Sequence, residues 1–90
     1  MPSYLVETFL ARGDARQRAG RERRARAAAE ELTRSGTSVR LSGVIHIPED
    51  ELCFFMFDAP TGRVAALVAA RADLDPFRVV RAVTSRKEKA

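Results

Sequence analysis

Only a few side chains in this sequence are suited to chemistry. Its one histidine is His46 and its one cysteine is Cys53. An imidazole and a thiolate together suit a soft or borderline metal ion such as nickel or zinc. Between them lies the polar turn Pro48-Glu-Asp-Glu51. If that turn closes a hairpin of two or four loop residues, Ile47 pairs with Leu52 and His46 with Cys53, placing the Cβ atoms of the second pair about 4.5–5.5 Å apart. Two ligands do not complete a site, no CxxC or HxxxH spacing adds to them, and a dimer axis would have to supply two more. The bland reading is an edge His beside a buried Cys. As a nucleophile, Cys53 has no activating neighbour except His46. Glu7 is the candidate general base, a carboxylate that could sit in an apolar pocket between a sheet and a partner. Arg40, Arg78 and Arg81 are available to pair with it instead. No phosphate-cradling Gly loop, Gly-x-Ser-x-Gly elbow or pair of carboxylates at a shared strand end is present.

The elements that would position these residues are legible around Leu52–Phe57, six consecutive apolar residues. Such a run reads as a central strand buried on both faces, and Asp-Ala-Pro60 after it as the entrance to a helix. Tyr4–Phe9 suits a strand beside it. Asp14 is the expected N-cap of a helix running to about Arg34 and ended by Ser35-Gly36. Its apolar stripe is Ala25, Ala28, Ala29 and Leu32, and continuing backwards it meets Glu22, Arg21 and Arg18, so only the C-terminal half should pack firmly. Gly20 weakens the middle by about 1 kcal/mol relative to Ala. Ser38–Ile47 alternates as an amphipathic strand. A second helix carries Val64, Leu67, Val68 and Arg71 at helical spacing and stops before Pro76. Phe77–Thr84 is the last strand, and residues 85–90 read as a frayed tail.

The order strand, helix, strand, strand, helix, strand predicts one α+β domain over residues 1–90. Its expected form is ferredoxin-like βαββαβ, a four-stranded antiparallel sheet with two helices on one face and the first and third strands central. Ile45, Ile47, Leu52, Phe54 and Met56 form the more apolar side of the hairpin and are expected under the helices. That leaves Arg40, Ser42, Val44, His46, Cys53, Phe55 and Phe57 on an open face, joined by Leu5, Glu7 and Phe9. In 90 residues two helices can cover only one face, so the open one predicts a homodimer. Glu7, Phe9, Arg40, Ser42, Phe55 and Phe57 are the expected interface or ligand-contact residues.

Tyr4-Leu-Val-Glu7, the Ile-Pro-Glu-Asp-Glu turn, Phe-Asp-Ala-Pro60 and the late Ala-Asp-Leu-Asp-Pro-Phe-Arg-Val-Val segment resemble a small bacterial family of unknown function typified by a nickel-responsive, nickel-binding protein. The resemblance covers most of the chain except the first helix. It implies a ferredoxin-like domain that dimerises and, in at least one member, binds nickel.

Formal net charge is +4, and it resides in residues 12–34, where Arg outnumbers Asp and Glu. A solvated basic helix face is the ordinary reading; a nucleic-acid site using Arg21 and Arg24 is the sharper one. Phe55 and Phe57 also invite comparison with RNA-recognition sheets, but the acids of the neighbouring turn oppose phosphate. No window approaches the ~18 apolar residues of a membrane span, and no signal peptide is visible, so a cytoplasmic protein is expected. The leading expectation is a homodimeric binding or accessory protein taking a small ligand or metal ion at its open face. A cofactor-independent small-molecule enzyme using Glu7 or His46 is the alternative.

Overall fold

Extended, β-branched and aromatic residues at the start form β1, Ser3–Phe9. The computed structural model describes residues 1–85; the tail expected at 85–90 therefore lies, beyond Ser85, outside the described residues. A 3-10 turn at Arg12–Asp14 leads to α1, Gln17–Arg34. Asp14 is not the expected N-cap: its N–H donates to the Ala11 carbonyl at 2.8 Å, closing the 3-10 turn, and the helix starts behind Arg16 without a side-chain cap. The inward residues of α1 are Ala25, Ala28, Ala29 and Leu32, the stripe read from the sequence.

At the end of α1, Gly36 has φ 103°, and the N–H groups of Thr37 and Gly36 donate to Leu32 and Thr33 carbonyls at 2.9 and 3.1 Å. This is the left-handed helix stop that glycine adopts without Cβ strain. Then come β2, Arg40–Ile47, a 3-10 turn at Pro48–Asp50, and β3, Leu52–Asp58. The turn ends on Glu51 in the left-handed region, and Ile47 pairs with Leu52 and His46 with Cys53 as expected. The helix α2 spans Gly62–Arg71. Its N-cap is Thr61, whose Oγ1 accepts from the Val64 N–H at 3.2 Å, so Pro60 precedes the cap instead of opening the first turn. The last strand, β4, is Arg78–Ala82.

All strand pairs are antiparallel, in the order β2-β3-β1-β4. The fold is α+β, a four-stranded sheet with two helices. Strands β1 and β3 are interior, as the unbroken apolar run of β3 requires.

The sheet presents the opposite side of β3 to the helices from the one the sequence suggested. Tyr4, Val6 and Thr8 pair with Phe57, Phe55 and Cys53, and directly paired residues project to the same side. Cys53, Phe55 and Phe57 are 0% exposed and share one core with Ala25, Ala28, Ala29 and Leu32 of α1 and Ala65, Val68 and Ala69 of α2. Ile45, Ile47, Leu52, Phe54 and Met56, expected under the helices, lie on the uncovered side with Leu5, Glu7 and Phe9.

The physical reason is twofold. Both sides of β3 are apolar, so its own pattern selects neither; its register against β1 does, and no turn joins those strands to reveal it. The inner surfaces of both helices are mostly alanine, which leaves depth for phenylalanine rings beneath them. A register shift between Leu41 and Gly43 breaks the expected alternation of β2. Leu41 is buried, whereas Arg40 pairs with Asp58 on the open side.

Candidate functional site

The uncovered face is a sheet of apolar side chains with the Glu7–Arg78 ion pair among them and the Arg40–Asp58 pair at one end. Leu5, Phe9, Ile45, Ile47, Leu52, Phe54, Met56 and Val80 share this side by register. Phe9 is 65% exposed and Ile45 48%. Between Leu5 and Phe9 on β1 stands Glu7, opposite Phe54 on one neighbouring strand and Arg78 on the other. Although it belongs to an open face, Glu7 is only 7% exposed.

Arg78 holds one oxygen of that carboxylate. Its Nε donates to Glu7 Oε2 at 2.8 Å, and its Nη2 lies at the same 2.8 Å from the same oxygen. Glu7 Oε1 accepts no hydrogen bond from the described residues, but it is not a buried orphan, since His46 Nε2 is the one such side-chain atom among them, and so it stays open to solvent. Beside the pair, Phe9 and Phe77 stack with ring centroids 4.4 Å apart at 26°. The Phe77 N–H donates to the Glu7 carbonyl at 2.9 Å. Asp73 and Asp75, with φ of 58° and 50°, turn the chain ahead of Phe77 and Arg78. Phe77 had been legible only as the start of a strand; its site role depends on the β1–β4 register.

His46 and Cys53 are opposite each other, but on the covered side. Cys53 is fully enclosed, and burial pushes its thiol pKa above the ordinary value against the opposing pull of Arg21 and Arg18. Such a thiol is a poor nucleophile and a poor metal ligand. His46 Nε2 is buried without a hydrogen-bond partner. No group of three or more His, Cys, Asp or Glu residues gathers as a metal site among the described residues. The expected open-face metal pair is thereby corrected: the register brings His46 and Cys53 together but turns them under the helices. Phe55 and Phe57 are likewise core residues, unavailable for ligand contact or base stacking.

Arg40 and Ser42 remain exposed. Ser42 Oγ donates to the Met56 carbonyl at 3.1 Å. Arg40 Nη2 donates to Asp58 Oδ2 at 2.6 Å, and Ser3 Oγ donates to Asp58 Oδ1 at 2.8 Å. Burial alone would raise the Asp58 pKa, but these hydrogen bonds and the Arg40 charge outweigh it and hold the carboxyl below its usual range. A shallow cleft of about 700 Å³ lies nearby, floored by Ala29, Val39 and Leu41 and rimmed by Arg26, Arg34 and Arg40. Nothing in the sequence pattern pointed to it, since it forms between α1 and the start of β2.

The two arginines expected to contact nucleic acid are occupied within the fold. Arg21 donates to the Phe9 carbonyl at 2.9 Å. Arg24 Nε donates to the Ala72 carbonyl at 2.9 Å, completing the end of α2. Arg18 and Arg26 both pair with Glu22. Compared with protein-family models, curated proteins and solved structures, the chain matches none.

Proposed function

We propose that this chain is a ferredoxin-like subunit of a cytoplasmic homodimer and works as a small binding or accessory protein, akin to the family typified by the nickel-responsive protein. The ferredoxin-like reading is supported by the strand order β2-β3-β1-β4 and the placement of a helix before β2 and before β4. The observation that carries the functional reading is the open face: eight apolar side chains on four strands, with a nearly buried Glu7 among them paired to an exposed Arg78. A contiguous apolar surface of this kind marks an interaction site, and a face broad enough for a second sheet can enclose a small organic ligand between copies. A metal ion is not favoured at His46 and Cys53, which lie beneath the helices.

Sedimentation velocity at tens of micromolar, with native mass spectrometry of untagged protein, tests the reading. The expected result is twice the 10.0 kDa chain mass, with any retained small molecule seen as added mass. A monomer at that concentration overturns it. Catalysis without a cofactor is the second reading, favoured by one observation: Glu7 keeps an oxygen without a hydrogen-bond partner in an apolar setting, the position a general base would need. Loss of turnover in Glu7→Gln, for any substrate found, would support it.

A further inference from the structure

Two residues near the middle of the open face keep hydrogen-bonding capacity beyond their own pair, and each has what the other lacks. Glu7 Oε1 has no partner among the described residues, while both contacts from Arg78 go to Oε2. A guanidinium carries five N–H donors in a planar fork, so three donors of Arg78 remain after those contacts. The Arg78 side chain is 61% exposed and that of Glu7 9%. The donor can therefore reach outward and the acceptor has to be approached. The two groups stand side by side, directly opposite on β1 and β4.

We infer that Glu7 and Arg78 are completed by Arg78 and Glu7 of a second copy of this chain, forming a four-residue charge cluster at the centre of a two-fold interface. This rests on the homodimer reading above and specifies what holds the dimer in register. A two-fold interface brings the same patch to itself, so residue i meets j and j meets i. A patch that carries one acceptor short of a donor beside a donor short of acceptors is self-complementary under that operation. The surrounding surface agrees. It is apolar and charge-free at its middle except for this pair, which is how the core of an interface differs from its rim. The molecule is a slab of 36 × 35 × 21 Å, so its broad face has room for the roughly 800 Å² that a standard interface buries per partner. The cluster is electrically neutral, and in it no carboxylate oxygen is left buried without a donor, the condition under which buried ion pairs are tolerated. It also leaves Glu7 without a free oxygen, against the general-base reading.

The test is charge exchange between copies. In Glu7→Arg both residues of a chain are cationic; in Arg78→Glu both are anionic. Each variant alone is expected to lose at least tenfold in dimer affinity by sedimentation equilibrium. An equimolar mixture is expected to give heterodimer well beyond the half that random exchange produces, read by native mass spectrometry. The double variant Glu7→Arg, Arg78→Glu is expected to dimerise again. Should Glu7→Arg fail to fold, Glu7→Gln and Arg78→Gln replace the pair, each weakening the dimer at least tenfold. Wild-type protein that is monomeric sinks the homodimer reading together with this inference. A wild-type dimer whose variants keep its affinity, or mix at random, overturns the inference alone.

Discussion

Asp58 is the residue whose environment converts most directly into a pH dependence. Its carboxylate takes hydrogen bonds from Ser3 and Arg40, and its pKa lies below the ordinary value. In acid the unfolded chain protonates this group before the folded one does. The stabilisation is therefore complete above the ordinary carboxyl range and is lost as pH falls through the folded-state pKa. Arg40 is largely exposed, so the pair contributes modestly, about 0.5–1 kcal/mol. Urea denaturation should find Asp58→Asn less stable than wild type by that amount near neutrality, with the gap closing in acid. A gap independent of pH would contradict the assignment. Cys53 makes the opposite case: a thiol held protonated and enclosed. Its alkylation at pH 8 should proceed only through unfolding, at a rate that rises with urea in step with the loss of structure.

At the scale of elements, the two sides of β3 should respond differently to the same truncation. Phe55→Ala removes a fully buried core ring and should cost about 3–5 kcal/mol. Phe54→Ala, one residue away on the open side, should cost far less in a dilute monomer and act mainly on association. Equal losses would mean that the faces are misassigned. In α1, Gly20→Ala should stabilise by about 0.5–1 kcal/mol, because an added Cβ would meet nothing nearer than an Arg23 guanidinium nitrogen at 3.6 Å. Thermal denaturation measures it. The helices and the hairpin were legible because local rules fix them: alanine spacing for α1, and Pro48–Glu51 for the Ile47–Leu52 and His46–Cys53 pairs. The facing of the sheet was not. It depends on Val6 meeting Phe55, a contact 49 residues apart in sequence, and on a bulge at Ser42 that no residue type in β2 demands. The same gap hid the site, since Glu7, Phe77 and Arg78 meet only through the register of β4.

For the whole molecule, two layers leave one broad face without cover, and among the described residues no helix is long and apolar enough to cross a membrane. If a second copy binds that face only in the folded state, association adds to stability by mass action. The melting temperature should then climb with protein concentration, and a concentration-independent melt would count against dimerisation. The sheet order has a consequence for how the chain is made. Strand β1 emerges before the other three strands during synthesis, yet its partners among the described residues are β3 and β4, and its outer pairing joins Ser3 to Ala82. One side of this interior strand can pair once β3 is out, but the other must wait, unpaired, until β4, nearly the last of the described residues, has emerged. Folding of this kind closes long loops before it gains their contacts. It should be slower than in a helical protein of equal length, and a nascent chain cut short before β4 would expose one side of β1 as a raw edge for other chains to pair with.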